Sequence, residues 1–327
     1  MTNEEKLLKK LILIPSPSGS EKTAGEFIFD ILVKQGFEVN KCSVSENRFN
    51  VVAKLGKPKI YLAAHMDTVS PILDYRETKS HIYGRGSCDT KASIACMITA
   101  AIAAKNEGYH NFGLIFTVGE EFNLDGAKAI VKSKLAIPFV IVGEPTSLAI
   151  VNGHFGILTI KVMAKGKAAH SSRPELGINA IDMLLELIAK VNKMPIKSGT
   201  LMSLVQIKGG FADNIIPDEA EAIFSFRISP DDQTDYIKNI KLLAPDNVDV
   251  EIVQQVGSVY SQVPPQLAFI KDVKTVKYMT ELSFYKNGVV LGPGDIRYAH
   301  GVEEQLERTE LPQAVEIYKK ILKNFQI

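Results

Sequence analysis

The stretch Phe139–Pro145, FVIVGEP, shows the pattern on which the fold depends. A run of apolar and β-branched residues ends at a glycine and is followed at once by a carboxylate, Glu144. Short apolar runs of this kind are typical of strands buried on both faces, as in a parallel sheet. In open α/β sheets, ligand sites lie beyond the carboxyl ends of the strands. The stretch therefore predicts a buried strand that delivers Glu144 to such a site.

The same arrangement occurs three more times along the chain. Each run again ends in ligand-type side chains, and parallel strands end at a common edge, so we expect these side chains to share one polar site. Imidazole and carboxylate groups are typical ligands of divalent metals, which makes a metal site the first hypothesis. The three runs are Ile60–Asp67 (IYLAAHMD), Leu114–Glu121 (LIFTVGEE) and Val289–Asp295 (VVLGPGD), the last followed by His300.

Strand and helix patterns alternate up to about residue 150, which predicts an α/β fold with a mainly parallel sheet covered by helices. Near Pro264 and Pro265 a linker is expected. After it the first pattern resumes with a helix, the strand Val289–Leu291 and a helix around Pro312–Asn324. We therefore predict a discontinuous metal-binding domain made of residues 1–152 and 256–327.

The intervening segment, residues 153–255, has a different pattern. Its strands alternate apolar and polar residues, as expected when one face of a sheet is solvated. The element order is β-α-β-β-α-β, with the second helix expected over Ser229–Leu243. That order is typical of a two-layer α+β domain of the ferredoxin-like type, inserted into the first domain.

Composition and charge narrow the functional class. The 327 residues are 46% hydrophobic and 23% charged, which is ordinary for a globular protein. The 38 basic and 37 acidic residues leave a net charge of +1, which argues against a nucleic-acid partner. No apolar stretch is long enough to span a bilayer, so no membrane partner is expected. Three cysteines without a C-x-x-C pair indicate a reducing compartment, and we expect a cytoplasmic protein.

Each candidate residue has an ordinary structural alternative. His65 and Asp67 form an H-x-D pair in which the carboxylate could orient the imidazole, although short motifs of this kind occur often by chance. Asp89, between a glycine-rich turn and a helix, could be an N-cap or a carboxylate that bridges two metals. His170 could be a turn histidine, or a donor to a reaction oxyanion brought in by domain closure or by a second subunit.

The acidic pair Glu120 and Glu121 could form a solvated loop, but after a buried strand it is better explained as a general base and a metal ligand. Glu144 could cap a turn, and His300 could be an exposed loop histidine. Together the candidates supply one histidine and two carboxylates for each of two metals, with one carboxylate shared. Two such metals can activate water, and mixed ligands suit zinc, cobalt or manganese.

Nine segments, in this order and spacing, resemble those of the acetylornithine deacetylase and succinyl-diaminopimelate desuccinylase family, whose members are co-catalytic dizinc peptidases and aminoacylases. The resemblance covers nearly the whole chain. Ala92 departs from it, because a glycine is usual after the lysine of the second segment. The segments are HMDTV, YGRGSCDTK, TVGEE, VGEPTSL, GKAAHSSRP, GINAI, DNIIP, FSFR and VLGPGDIRYAH.

The resemblance implies two metal sites that share Asp89. His65 and Glu144 would complete the first site, and Glu121 and His300 would complete the second. It also implies that Glu120 is the general base and that Asp67 orients His65.

The resemblance further implies a homodimer formed through the inserted domain, which would act as a lid and dimerisation domain. His170 would then reach the active site of the partner subunit. Arg227 and Asn214 would contact the carboxylate or acyl part of the substrate, and Gly292 and Gly294 would line its pocket.

These observations predict a metal-dependent enzyme that hydrolyses the amide bond of an N-acyl amino acid. GSCDTK, GEPTSL, Met279–Glu281 and GPGDI-x-x-AH most resemble the deacetylases of N-acetylornithine and N-acetylcitrulline, in amino-acid biosynthesis. A desuccinylase, a dipeptidase and a carboxypeptidase are the alternatives of the same family. An alternative of another class is a metal-free dimer that binds amino acids without catalysis.

Overall fold

A computed structural model describes residues 1–326 of the chain. The helices within these residues are α1 (Asn3–Ile12), α2 (Lys22–Lys34), α3 (Lys91–Asn106), α4 (Asp125–Lys132), α5 (Ala180–Asn192), α6 (Tyr236–Leu243) and α7 (Glu310–Asn324). The strands in the first half are β1 (Glu38–Ser45), β2 (Arg48–Leu55), β3 (Ile60–His65), β4 (Arg76–Glu77), β5 (His81–Tyr83), β6 (Phe112–Thr117), β7 (Val140–Val142) and β8 (Ile150–His154). The later strands are β9 (Gly156–Lys165), β10 (Ala169–His170), β11 (Leu201–Gly209), β12 (Ile215–Ile216), β13 (Glu219–Ile228), β14 (Val248–Val256), β15 (Val259–Tyr260), β16 (Val273–Val276), β17 (Gly288–Val290) and β18 (Gln305–Glu307).

The chain divides into two compact units. The first comprises Met1–Gly153, Ser261–Thr275 and Thr280–Ile327, and the second comprises His154–Tyr260 and Val276–Met279.

The first unit is built on a sheet in which β1, β2, β6, β3, β7, β17 and β8 are neighbours in that order. The central strands β6, β3, β7 and β17 run parallel to one another, and the flanking pairs are antiparallel. Every residue of these four strands is buried. This confirms the predicted α/β fold with a mainly parallel sheet, and it explains why the strands read as continuous apolar runs.

Helix α3 is buried along most of its length and packs against α1, α7 and strand β3. Its sequence, KASIACMITAAIAAKN, is rich in alanine, which has the highest helix propensity and allows close packing. Lys91 is the one lysine of its first turn and is itself buried. Its Nζ donates hydrogen bonds to the carbonyls of Leu11 and Ile14 at the end of α1, which ties the two helices together.

The second unit contains a four-stranded antiparallel sheet in the order β11, β13, β9, β14. Helices α5 and α6 pack on the face that carries Leu158, Ile160, Phe224 and Phe226. The main elements follow the predicted β-α-β-β-α-β order of a ferredoxin-like domain.

Two predicted helices differ from the structure. The helix expected over Ser229–Leu243 begins only at Tyr236, because the preceding residues form a turn around the carboxylate of Asp232. The helix expected after the linker does not form among the described residues, which instead make the 3₁₀ turns Pro265–Leu267 and Glu281–Phe284 and the strand β16, because β16 pairs with β8.

Among residues 1–326, every helix is too short or too polar to cross a lipid bilayer.

The carboxylate of Asp232 is expected to stabilise the fold through the hydrogen bonds of its turn. The hydroxyls of Thr200 and Tyr236 donate to its carboxylate at 2.5 and 2.8 Å, and the amide of Thr234 donates at 2.9 Å. Although burial raises the pKa of Asp232, these hydrogen bonds lower it from 3.8 to about 2. We expect Asp232→Asn to lower the free energy of unfolding at pH 7 by about 1–3 kcal/mol, because an amide cannot accept all three bonds.

The effect should depend on pH in a defined direction. Because the pKa is depressed in the folded state, the carboxylate stabilises the fold above pH 3.8, and that contribution is lost as the pH falls towards 2. Urea titrations at pH 7 and at pH 3 measure the free energy of unfolding of wild type and of Asp232→Asn. The difference in this free energy between the two proteins should be smaller at pH 3. The control is Asp246→Asn, at an exposed carboxylate of the same unit, where a change below about 0.5 kcal/mol is expected. Equal losses for the two variants would contradict the prediction.

Candidate metal centre

Four parallel strands bring candidate ligands to one edge of the sheet of the first unit. His65 is the last residue of β3, and Glu121 follows the end of β6. Glu144 follows β7, and His300 lies in the loop after β17. Asp89 reaches the same edge from the turn that precedes α3. All five side chains therefore belong to the carboxyl ends of the parallel strands or to the turn beside them.

Asp89 lies between the two histidines. Its Oδ1 is 3.0 Å from Nε2 of His65, and its Oδ2 is 3.3 Å from Nε2 of His300. Nε2 of His300 is also 2.9 Å from Oε2 of Glu121, and Nε2 of His65 is 3.8 Å from Oε2 of Glu144. One oxygen of Asp89 therefore groups with His65 and Glu144, and the other groups with Glu121 and His300.

The close packing of carboxylates in this cluster shifts the pKa values of its glutamates and histidines. Burial, together with the neighbouring carboxylates, raises the pKa of Glu144 and of Glu120 well above the usual value for a glutamate. Hydrogen bonds to Asp89 and Glu121 raise the pKa of His300 to about 10. Burial lowers the pKa of His65, but the carboxylates around it more than compensate and raise it well above its usual value. The cluster therefore stabilises positive charge at its centre.

These side chains fit divalent cations. One ligand atom from each of His65, Asp89 and Glu121 lies within 4.8 Å of the others. Oε1 of Glu144 is buried and has no hydrogen-bond partner among the described residues. A buried carboxylate oxygen without a partner is costly unless a cation or a proton satisfies it. Together the five side chains offer two imidazoles and three carboxylates, the ligand types of zinc and manganese.

Asp67 contacts both His65 and the turn that carries Glu120 and Glu121. Nδ1 of His65 lies 2.9 Å from the main-chain oxygen of Asp67 and 3.6 Å from its Oδ1. The carboxylate of Asp67 accepts the amide hydrogens of Glu120 and Glu121, at 3.0 and 3.1 Å, and the hydroxyl hydrogen of Ser18 at 2.7 Å. The ring of His65 is therefore oriented mainly by a backbone carbonyl, and the side chain of Asp67 joins two strand ends.

Gly292 and Gly294 pack against the segments that carry ligands. A Cβ at position 292 would lie 2.5 Å from the main-chain oxygen of Glu144, so only glycine allows this approach. Gly294 has a φ of +96°, and a Cβ there would lie 2.7 Å from Sγ of Cys88. These contacts make both glycines necessary for the packing of the loop that precedes His300. That they also line a substrate pocket stays a prediction.

The remaining candidates, His170, Asn214 and Arg227, belong to the second unit. His170 and Asn214 are neighbours, because β10 pairs with β12 and the amide of Ser171 donates to the main-chain oxygen of Asn214. Nδ1 of His170 accepts the amide hydrogen of Ser172 at 3.1 Å. In the neutral ring, Nε2 therefore carries the proton and can donate it. Arg227 is exposed near the end of β13.

Other residues at the centre carry weaker signals in the sequence. Glu304 and Arg85 are buried beside Asp89 and form an ion pair at 2.7 Å. Arg85 is part of the YGRG segment, whereas Glu304 belongs to no recognisable motif. Glu281 is buried and accepts a hydrogen bond from Thr117, and burial raises its pKa to about 7. Their positions depend on contacts between distant segments, which sequence spacing does not show.

Comparison with known proteins identifies the family of this chain. Residues 61–324 match the sequence profile described as peptidase family M20/M25/M40. A relative from Aspergillus clavatus, named a probable carboxypeptidase, is 33% identical over 96% of this chain and 86% of its own length.

Solved structures share the fold at lower sequence identity. The aminopeptidase PepT of Bacillus cereus superposes with a TM-score of 0.86 at 20% identity, over 99% of this chain and 98% of that one. An M20 family metallo-carboxypeptidase of Sulfolobus solfataricus superposes with a TM-score of 0.79 at 17% identity, over 99% of each chain. From the profile match and the sequence identity, the chain belongs to peptidase family M20/M25/M40.

Proposed function

We propose that this protein is a metal-dependent hydrolase that cleaves the amide bond next to a free carboxylate in a short peptide, as a carboxypeptidase or dipeptidase does. The observation that carries the proposal is Asp89, whose two oxygens face two different histidines. Relatives named as probable carboxypeptidases, at 33% identity, support a peptide as the substrate.

Two divalent metals, zinc in the first instance and cobalt or manganese as alternatives, would be held with Asp89 shared between them. His65 and Glu144 would hold one metal, and Glu121 and His300 the other. When bound, such metals polarise a carbonyl group and lower the pKa of water.

Glu120 is proposed as the general base. It follows β6 beside the proposed ligand Glu121, and its backbone is held by the carboxylate of Asp67. Its carboxylate would take a proton from the attacking water and deliver it to the nitrogen of the departing amine. Asp67 would act by positioning Glu120, Glu121 and His65.

The second unit is proposed to supply substrate contacts as a lid domain. In the neutral ring of His170 the proton lies on Nε2, because Nδ1 accepts the amide hydrogen of Ser172, and this supports a role as a donor to the developing oxyanion. Arg227 would bind the substrate carboxylate through charge-assisted hydrogen bonds, and Asn214 would contact the acyl part. Gly292 and Gly294 would border the same pocket. We propose that this lid domain is the inserted segment of residues 153–255.

Deacetylation of N-acetylornithine or N-acetylcitrulline is the second candidate function. The segments GEPTSL, Met279–Glu281 and GPGDI-x-x-AH favour it. Both candidates use the same general base and metals, and they differ in the group on the acyl side of the amide bond. Three free cysteines, two of them buried, support a reducing compartment such as the cytoplasm for either activity.

A panel of substrates tests the proposal. The chelator-treated enzyme is assayed for amine release, with zinc, cobalt or manganese added back, on free and N-blocked dipeptides, N-acetylornithine, N-acetylcitrulline and N-succinyl-diaminopimelate. We expect turnover to return with metal and to be fastest on a peptide. We expect Glu120→Gln to bind the same amount of metal and to lose about 10²–10⁴-fold in kcat, because an amide cannot accept the proton.

The control is Glu303→Gln, at an exposed carboxylate on the loop of His300, which should behave as wild type. Turnover only of N-acetylornithine or N-acetylcitrulline would replace the peptidase proposal by the deacetylase. Full activity of Glu120→Gln would contradict the assignment of the base. If the protein binds none of the added metals and hydrolyses no substrate of the panel, a non-catalytic amino-acid-binding dimer would be favoured.

We also propose that the protein forms a homodimer through the free edge of β11. This strand lies at the end of its sheet, and eight of its nine residues are exposed. Leu201, Leu204, Val205 and Ile207 are between 39% and 58% exposed. An exposed apolar edge strand is a template for pairing with another strand, and a two-fold axis would pair β11 with its own copy.

Charge on this edge should separate the subunits. We expect Val205→Lys to shift the sedimentation mass from twice 35.9 kDa to the monomer value, since two lysines would face each other across the two-fold axis. The control is Leu242→Lys on α6, where the leucine is 74% exposed and lies away from the edge strand. A dimer that persists in Val205→Lys, or a wild-type monomer, would contradict the prediction.

A further inference from the structure

Two buried carboxylates outside the proposed ligand set each accept two consecutive amide hydrogens beside a ligand. Asp67 accepts those of Glu120 and Glu121. Glu304 accepts those of Cys88 and Asp89 through Oε1, at 2.9 and 3.0 Å. The second arrangement fixes the backbone of the residue that faces both histidines.

Glu304 also connects this turn to other segments through Arg85. Oε2 of Glu304 accepts a hydrogen bond from Nη1 of Arg85 at 2.7 Å, and the two side chains are only 1% and 4% exposed. Arg85 donates further hydrogen bonds to the main-chain oxygens of Gly301 and Pro71, at 3.2 and 3.0 Å. The amide of Gly84 donates to the main-chain oxygen of Glu304. The pair thus joins the turn before α3 to the loop that carries His300.

This connection matters because the loop of His300 has little regular secondary structure. His300 has a φ of +62°, in the left-handed region, and its side chain is 54% exposed. Between the 3₁₀ turn Ile296–Tyr298 and strand β18 the loop has no regular structure, within the part of the chain described. The bonds from Arg85 to Gly301 and Glu304 lie within four residues of His300.

We propose that Glu304 and Arg85 are positioning residues that hold Asp89 and His300 at the separation required for metal binding. The proposal rests on the metal centre of the proposed function. A buried, charge-assisted pair is strong and directional, and it can fix the two ligand-bearing segments relative to each other. Residues that support ligands in this way typically change metal affinity by about 10–100-fold when they are mutated.

Glu304→Gln is the direct test. The variant keeps the size of the side chain, but its amide group would place a donor against Arg85 or against the amides of Cys88 and Asp89. Chelator-treated protein is titrated with zinc or manganese alone in a calorimeter. We expect two binding events in wild type, and in the variant at least one event weakened by about 10–100-fold. A folded variant with wild-type affinities would overturn the proposal.

A second readout does not need metal. Hydrogen exchange of the segment 84–90 is followed by mass spectrometry in metal-free protein. We expect faster exchange in Glu304→Gln than in wild type, because in either orientation the amide group loses its bonds to the amides of Cys88 and Asp89 or its bond to Arg85, and both hold this turn. Unchanged exchange would overturn the proposal even if wild type bound no metal. An absence of metal binding by wild type would instead overturn the proposed function, so the two failures are distinguishable.

Two further variants complete the experiment. Glu303→Gln removes the neighbouring carboxylate, which pairs with Arg76 at the surface, and it should match wild type in both readouts. Arg85→Lys keeps the buried positive charge but cannot reach Glu304, Gly301 and Pro71 together. If Glu304→Gln does not fold, Arg85→Lys decides: a folded variant with weakened metal binding supports the proposal, and one with wild-type affinities overturns it.

Discussion

Repulsion between buried carboxylates at one edge of a parallel sheet is the constraint on which the rest of the structure depends. The strand ends bring Glu120, Glu121 and Glu144 close to Asp89, and burial raises the pKa of each of these glutamates. Such a group is tolerated only where positive charge or hydrogen-bond donors face it. His65 and His300 supply part of that charge, and the buried Oε1 of Glu144, which has no hydrogen-bond partner among the described residues, fits a bound cation as a further source.

The backbone contributes as much as the side chains to holding this group. Pairs of consecutive amides point at Asp67 and at Glu304, and each of these carboxylates is buried. A carboxylate that accepts two amide hydrogens is stabilised as an anion, and it fixes the turn that supplies them. The ligand-bearing turns are therefore connected through residues that would not touch a metal. This arrangement makes a precise site from loops that have little regular structure.

The parts that could be predicted share a local physical cause. A strand buried on both faces must be mostly apolar, so the sequence shows β3, β6 and β7 as apolar runs that are followed by candidate ligands. Helix α6 was predicted too long because its upstream turn is organised by Thr200 and Tyr236, and Thr200 lies on a distant segment. The helix predicted after the linker is absent for a similar reason, since Val273–Val276 pairs as a strand with β8, which lies on a distant segment.

The sequence by itself determined the parallel sheet, the inserted antiparallel domain and the identity of the side chains at the strand ends. The sequence is sufficient for this because the spacing of apolar residues indicates which positions are buried, and each strand shows that spacing by itself. Only the tertiary structure decided which oxygen of Asp89 faces which histidine, and that Glu304 and Arg85 join the segments around them. The contacts of Asp89 with His300 and of Glu304 with Arg85 and Asp89 link residues more than 200 positions apart, and no local pattern encodes a distance between segments that meet only in the folded chain.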